Sequence, residues 1–255
     1  MNRSGGTGIW RYTGCIINAF NPFKKAGISL IHQSTNLVTT EELKNILKTG
    51  GAELGLTIGD QEVSQFLKYL EELKEWNKKI NLTSITDDRD ITIRHFLDSL
   101  ILVPFLANKS SLLDIGSGAG FPGIPLKIIL PDLKITAMDS VHKKVVFMKH
   151  IVRTLNLNSI EIIHARAEDS KSIKKLGGSF DAVTSRAFAE LHRFLEIAIP
   201  YAKNGGILLA VKGPKGVEEL RRLPQIKGIE SILVKEIKLP FSDITTTVLS
   251  FKKEG

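Results

Sequence analysis

A glycine-rich stretch between residues 112 and 123 constrains the fold of this chain more than any other feature of its sequence. An apolar run, Leu112-Leu113-Asp114-Ile115, ends in a loop with four glycines in eight positions, Gly116-Ser117-Gly118-Ala119-Gly120-Phe121-Pro122-Gly123. Residues 124–130 then read as a helix. A strand, a glycine turn and a helix in this order present backbone N–H groups to a nucleotide-like ligand, which glycines allow to approach the main chain. The stretch predicts an α/β fold with a ligand site at the turn.

The glycine spacing has two interpretations. Gly118-x-Gly120-x-x-Gly123 matches the dinucleotide fingerprint, which is a weak signal on its own. Shifted by two positions, Gly116-x-Gly118-x-Gly120 after Leu-Leu-Asp-Ile matches the S-adenosylmethionine loop of Rossmann-like methyltransferases. A pyrophosphate needs free N–H groups at the helix start, and Pro122 removes one of them there. The sequence therefore favours a methyltransferase, and an NAD(P)-dependent oxidoreductase stays as the alternative.

From residue 111 onward, short apolar runs alternate with helical patterns, which predicts a parallel sheet with right-handed crossovers. The last two runs alternate apolar and polar residues like an antiparallel pair. The expected fold is α/β, a Rossmann-like class I methyltransferase with a mostly parallel sheet and an antiparallel C-terminal strand. Strands are predicted at 112–115, 134–138, 160–164, 180–184, 206–211, 231–238 and 245–252.

A small helical region is predicted ahead of the sheet. The first helix starts within Thr39-Thr40-Glu41-Glu42 and stops near Gly50-Gly51. The second begins at Asp60, and a third runs roughly from Asp90 to Leu106. Residues 1–38 have scattered glycines and aromatics without periodicity, which is typical of a disordered extension. The predicted organisation is an extension (1–38), a helical region (39–110) and an S-adenosylmethionine-binding core (111–255).

Composition limits the classes of protein that remain. The single cysteine excludes an internal disulfide framework and a cysteine-based zinc site, and no apolar run is long enough to span a membrane, so a cytoplasmic protein is expected. The net charge is +8, but residues 1–40 contain four bases and no acid, so half of the excess lies there. Charge alone therefore does not make this chain an RNA-binding protein.

In an open α/β sheet the ligand lies beyond the carboxyl ends of the strands, so strand-terminal residues are the site candidates. Asp139 is well placed to accept hydrogen bonds from ribose hydroxyls, or to cap the next helix. Ala167-Glu168 would border an adenine ring. Arg186 could hold a carboxylate or phosphate as a fork, or form a surface ion pair. His95 and Asp98 lie one helical turn apart, which favours a structural hydrogen bond between them.

Taken together, several motifs closely resemble the RsmG (GidB) family of bacterial small-subunit ribosomal RNA methyltransferases. The resemblance runs from about residue 41 to 253, and the glycine loop alone would indicate only some methyltransferase. The specific motifs are Trp76-Asn77-Lys78-Lys79-Ile80-Asn81-Leu82-Thr83, Arg94-His95-x-Leu97-Asp98-Ser99, Asp139-Ser140 with Lys143-Lys144, Arg166-Ala167-Glu168, Ser185-Arg186-Ala187-Phe188 and Lys212-Gly213.

The resemblance implies methylation of one guanine at N7, guanine 527 in the family's 16S ribosomal RNA, with S-adenosylmethionine as the cofactor. The RNA partner would be free 16S RNA or a small-subunit assembly particle, and the protein a monomer. The cofactor-binding residues implied are Gly116, Gly118, Phe121, Asp139, Ser140, Ala167, Glu168 and Arg186. The chain departs from the family pattern in residues 1–38 and in lacking the basic residue that often precedes the last strand.

Guanine N7 carries an available lone pair, so no general base and no metal site are predicted. Arg94, His95 and Arg186 are candidates for positioning the substrate, and Lys143, Lys144 and Lys212 for attracting RNA. A non-catalytic RNA-binding or ribosome-assembly protein on a methyltransferase fold stays as a second alternative, although such a protein has no reason to keep four glycines in the loop.

Overall fold

The computed structural model describes residues 38–255 except 187–189, 214 and 225. The predicted extension at 1–38 therefore lies almost wholly outside the described residues, as do Ala187 and Phe188 of the Ser-Arg-Ala-Phe motif.

A seven-stranded sheet forms the centre of the fold, in the order β3-β2-β1-β4-β5-β7-β6. The first five strands are parallel, and β7 is antiparallel to both β5 and β6, as the sequence pattern predicts. Strand order reverses between β1 and β4, which is where α/β sheets bind ligands. The strands are β1 Ser111–Ile115, β2 Lys134–Asp139, β3 Ile160–His164, β4 Phe180–Ser185, β5 Ala202–Lys212, β6 Ile229–Lys238 and β7 Thr245–Lys253.

Helices cover both faces of this sheet. Apolar side chains of the N-terminal helices, of α6 and of α7 share one hydrophobic cluster with one face, and those of α9 belong to the cluster on the other. No helix in the described ranges is long and apolar enough to cross a membrane. The helices are α1 Thr40–Glu53, α2 Asp60–Ile80, α3 Asp88–Ile91, α4 Asp98–Leu100, α5 Val103–Leu106, α6 Gly123–Ile129, α7 His142–Thr154, α8 Ser170–Leu176, α9 Leu191–Ala198 and α10 Gly216–Arg221.

Helix α1 begins as predicted, with the Thr39 hydroxyl accepting from the Glu42 N–H, but its predicted end is wrong. Gly50 and Gly51 lie inside the helix and are buried. A Cβ atom on Gly51 would come within 2.7 Å of the Ile58 side chain. These glycines allow close packing rather than ending the helix.

The predicted third helix, 90–106, is also wrong in detail, because it is not continuous. Residues Thr92–Leu97 form a π-helical turn between α3 and α4, and a turn at Ile101 and Leu102 separates α4 from α5. A π-turn inserts one extra residue per turn and is frequent at functional sites. Here it contains two of the candidate site residues, Arg94 and His95.

Candidate functional site

The glycine loop leaves β1 in a conformation that only glycine adopts readily. Gly116, Gly118 and Gly120 have φ values of +69°, +63° and +100°. A Cβ atom on Gly118 would meet nothing closer than the Gly116 carbonyl oxygen at 4.0 Å, so the main chain there is open to a ligand. On Gly120 a Cβ would come within 2.7 Å of the Tyr69 hydroxyl, so this glycine permits close packing instead.

Two aspartates hold this loop. The Gly123 N–H donates to Asp114 Oδ2 at 2.9 Å, at the start of α6. The Gly118 N–H donates to Asp139 Oδ2 at 2.8 Å, and the Val141 N–H donates to Asp139 Oδ1 at 2.8 Å. Asp139 therefore links the loop to the segment that leads into α7 and serves as a structural anchor. Burial raises the pKa of the Asp114 carboxyl to about 6, and its Oδ1 has no hydrogen-bond partner among the described residues.

A cleft of about 200 Å³ lies at the carboxyl ends of β1, β2 and β3. The structure brings five of the predicted cofactor-binding residues together around it: Gly116, Asp139, Ser140, Ala167 and Glu168. Ala167 is buried, and its backbone carbonyl accepts a hydrogen bond from the Tyr201 hydroxyl at 2.6 Å. This bond fixes the position of the small Ala167 side chain in the wall of the cleft. A positive-φ glycine, small apolar residues and two carboxylates suit an adenosyl group. The remaining lining residues are Ile115, Met138, Ala165 and Arg166.

Arg186, directly after β4, is held by His95. Its Nη2 donates to His95 Nδ1 at 2.9 Å, so the proton of a neutral imidazole resides on Nε2, which donates to Thr83 Oγ1 at 2.8 Å. Thr83 Oγ1 also accepts from the Ile85 N–H at 3.1 Å. Burial first, and the Arg186 charge second, lower the pKa of His95 to about 3. His95 is therefore a neutral acceptor that positions Arg186.

Asp98 also contacts Arg186, and the predicted hydrogen bond between His95 and Asp98 is absent. Arg186 Nη1 lies 3.4 Å from Asp98 Oδ2, while Asp98 Oδ1 accepts from the Thr246 hydroxyl at 2.8 Å. Burial raises the pKa of Asp98 despite the lowering effect of Arg186. The two residues of the predicted pair are thus joined through the guanidinium of Arg186, which contacts both of them.

Phe121 connects this polar group to the glycine loop. Its ring stacks on the His95 ring at 4.5 Å between centroids and at an angle of 17°. The Arg186 guanidinium lies 5.7 Å from the same ring, and Tyr69 stacks on it at 5.4 Å. The Tyr69 hydroxyl donates to the Ala119 carbonyl. The N-terminal helices therefore hold the loop on one side and Arg186 on the other, so the two are positioned together.

Asn77 and Thr83 belong to the Trp-Asn-x-x-x-Asn-Leu-Thr motif, which by itself predicts no role for either residue. The Asn77 Oδ1 accepts from the N–H groups of Leu82 and Thr83, at 2.6 and 2.9 Å, and its Nδ2 donates to the Thr83 carbonyl at 2.9 Å. The side chain thus folds the segment after α2 so that Thr83 meets His95. The sequence feature that could have indicated this role is the Trp-Asn-x-x-x-Asn-Leu-Thr pattern. It spaces Asn77 and Thr83 six residues apart, and the turn after α2 brings them into contact.

The predicted basic residues differ in environment. Lys143 is exposed and Lys144 is half-buried at the start of α7. Arg94 is half-exposed and pairs with Asp90 at 3.5 Å. Lys212 is almost fully buried, and its Nζ lies 2.8 Å from Glu219 Oε2, so its charge is compensated within the protein.

The parallel sheet, the positive-φ glycine loop and the cleft at the strand ends define a Rossmann-like methyltransferase. The GidB family, described as rRNA small subunit methyltransferase G, matches residues 62–242. The chain belongs to this family.

Individual relatives agree with the family match. The ribosomal RNA small subunit methyltransferase G of Alkaliphilus oremlandii is 40% identical over 217 residues, which cover 83% of this chain and 91% of the relative. The protein of the same name from Geotalea uraniireducens is 45% identical over 179 residues, covering 70% and 81% of the two chains. Among solved structures, a predicted O-methyltransferase from Agrobacterium tumefaciens has a TM-score of 0.49 at 17% identity, over 57% of this chain and 74% of that one.

Proposed function

We propose that this protein transfers a methyl group from S-adenosylmethionine to N7 of a single guanine in 16S ribosomal RNA. Family membership supports the RNA substrate. The observation that supports the chemistry is the joint placement of two groups. The open glycine loop is anchored to Asp139, and the mostly buried guanidinium of Arg186 is held next to it through Phe121.

The cofactor would lie in the cleft at the ends of β1, β2 and β3. The main chain at Gly116 and Gly118 would meet its methionine part, and Asp139 with Ser140 its ribose. Ala167 and Glu168 would border its adenine. When bound, S-adenosylmethionine supplies an electrophilic methyl group on a sulfonium centre. The side chain of Arg186 belongs to the neighbouring His95–Asp98 network, which favours a substrate contact over the cofactor contact implied by the family resemblance.

The residues around the site need only bind and orient the two reactants. N7 of neutral guanine has a free lone pair, so no protein group has to remove a proton before the transfer. Holding reacting atoms in line at about 3–3.5 Å supplies much of the rate enhancement in such reactions. This agrees with His95, which its lowered pKa keeps neutral and unable to serve as a general acid near pH 7.

The direct test is methyl transfer from labelled S-adenosylmethionine to small-subunit particles and free 16S RNA that lack the modification, followed by mapping of the labelled base. Label at N7 of one guanine would establish the reaction and its substrate. Binding of the cofactor without label would point to a different acceptor or to a binding protein. Binding of NADH, with none of S-adenosylmethionine, would overturn the proposal in favour of an oxidoreductase.

We further propose a monomer acting in the cytoplasm, where ribosomal subunits assemble, and light scattering would test the oligomeric state.

A further inference from the structure

A second cavity, of about 280 Å³, opens beside Arg186 and shares no lining residue with the cofactor cleft. It lies at the carboxyl ends of β4 and β5, whereas the cofactor cleft lies at the ends of β1, β2 and β3. Because β4 is the neighbour of β1, the two spaces are adjacent along one edge of the sheet. The second cavity is lined by Ile85, Arg94, Asp98, Arg186, Val211, Lys212, Gly213, Leu239, Ile244 and Thr246.

The polar groups of this cavity have unused hydrogen-bonding capacity. Arg186 Nη1 is buried without a hydrogen-bond partner in the described part of the chain, and its 3.4 Å contact with Asp98 Oδ2 is an ion pair without hydrogen-bond geometry. Both side chains are mostly buried, with 22% of Arg186 and 13% of Asp98 exposed. Buried donors and acceptors are normally satisfied, so an unsatisfied guanidinium nitrogen next to a carboxylate gives this cavity a donor that a ligand can use.

The apolar side chains of the cavity form surfaces against which a flat ligand can pack. Ile85 and Ile244 are partly exposed, while Val211 and Leu239 are buried. Enzymes that modify a nucleic-acid base take it into a pocket between apolar groups and bind its Watson–Crick edge by hydrogen bonds. A carboxylate and a guanidinium between apolar walls provide this combination.

We propose that this cavity binds the target guanine and that Asp98 and Arg186 recognise its Watson–Crick edge. Guanine presents two donors, N1–H and the N2 amino group, beside one acceptor, O6. Asp98 accepts from N1–H and the N2 amino group, and Arg186 Nη1 donates to O6. N7, on the other edge of the base, is left free for the reaction. Adenine has an amino group where guanine has O6 and no proton on N1, so it cannot make these contacts. This assignment rests on the proposed function and extends it to the residues that select the base.

The same arrangement favours the transfer itself. As N7 donates its lone pair to the methyl carbon, the S–CH3 bond breaks and its electron pair stays on sulfur. The positive charge therefore moves from sulfur to the purine ring, and no proton is gained or lost. A cationic base donates more strongly through N1–H and the N2 amino group, so the Asp98 carboxylate binds the methylated state more tightly than the starting base. Loss of Asp98 should therefore lower kcat and not only raise KM.

Inosine tests the contact because it lacks only the N2 amino group of guanosine. Small-subunit particles would be reconstituted with 16S RNA carrying either nucleoside at the methylated position, and single-turnover transfer measured for wild type, Asp98→Ala and Asp98→Asn. Asp243→Asn is the matched control, because this aspartate lies on the 239–244 loop with a fully exposed side chain. Calorimetric binding of S-adenosylmethionine to each variant would show that the cofactor site is intact.

The wild-type enzyme and Asp243→Asn should methylate guanosine particles about 10-fold faster than inosine particles. Asp98→Ala should be about 10- to 100-fold slower on guanosine and should no longer distinguish the two. Equal rates on both substrates for wild type, or unchanged discrimination in Asp98→Ala, would overturn the pocket assignment and leave the proposed function standing. Absence of label on any guanine with the wild-type enzyme would overturn both.

Discussion

His95 is a neutral residue that fixes the position of a charged one, the guanidinium of Arg186. Its Nδ1 accepts from Arg186 and its Nε2 donates to Thr83, so only the neutral ring with the proton on Nε2 fits both partners. Protonation would place a second positive charge against the guanidinium. Burial and that neighbouring charge keep the pKa of His95 at about 3 and thus keep the acceptor available.

We expect His95→Gln to retain most methyl transfer, because a glutamine amide can accept from Arg186 and donate to Thr83. His95→Ala should be slower by about 10-fold or more, since it leaves a buried guanidinium without its acceptor. Arg186→Ala should be the slowest of the three. Single-turnover rates at pH 7.5 and thermal melting of each variant provide the measurement. If Gln and Ala were equally slow while both melted like wild type, the positioning role of His95 would be wrong.

Asp114 gives a prediction about stability rather than rate. Burial raises the pKa of its carboxyl to about 6, above the value of an unfolded aspartate, so the folded state favours the protonated form. The resulting stabilisation is complete below about pH 4 and is lost as pH rises through about 6. Asp114→Asn keeps an acceptor for the Gly123 N–H without the charge.

Relative to wild type, Asp114→Asn should therefore become more stable as pH rises from 4 to 8, by up to about 3 kcal/mol. Urea unfolding of both proteins across this range would measure the change in the free-energy difference. A constant offset between the two proteins would mean that Asp114 does not titrate in this window.

The glycine loop combines two requirements that its regular spacing conceals. Gly118 faces open space, so its lack of a side chain leaves room for a ligand. Gly120 faces Tyr69 and Ile124, so its lack of a side chain allows α2 and α6 to pack closely against the loop. The two substitutions should therefore separate cofactor binding from folding.

Gly118→Ala should weaken S-adenosylmethionine binding, with a loss of stability of about 1–2 kcal/mol from the left-handed backbone conformation. Gly120→Ala should lose clearly more stability, because its Cβ would lie 2.5 Å from Ile124 Cδ1 as well. Calorimetric titration of the cofactor and thermal melting would separate the two effects. Equal losses of stability would contradict this assignment.

The sequence predicts elements of this fold better than it predicts the network between them. Strands, the loop and the antiparallel tail are encoded by local patterns, and the site residues at strand ends follow from one general property of parallel sheets. The Arg186–His95 and Thr246–Asp98 contacts join positions 91 and 148 residues apart, and the π-turn that contains His95 leaves no periodic signal. The prediction from Gly50-Gly51 failed for the same reason, because these glycines lie in α1 where side chains would clash with Leu97 and Ile58, which are distant in sequence.

At the scale of the whole molecule, charge location matters more than net charge. Residues 41–255 contain 31 basic and 27 acidic side chains, so attraction to RNA has to come from where the bases lie. Lys143 and Lys144 follow β2 at the carboxyl edge of the sheet and form no ion pair within the described ranges. Lys212 is at the same edge but is buried against Glu219. Lys134, exposed at the start of β2, marks the opposite edge.

These differences predict three outcomes for lysine-to-alanine variants. A phosphate contact releases about one counterion, so Lys143→Ala and Lys144→Ala should each reduce the slope of log K against log salt by about 1. Lys134→Ala should leave the slope unchanged, because its edge faces away from the site. Lys212→Ala should also leave the slope unchanged. It should lower the melting temperature, because the carboxylate of Glu219 would lose its buried cationic partner. The slopes are obtained by measuring affinity for small-subunit particles at salt concentrations from about 50 to 300 mM. Phosphate contacts weaken strongly over this range. A slope that falls equally in all four variants would mean that RNA responds to total charge, and that the carboxyl edge of the sheet has no special part in holding it.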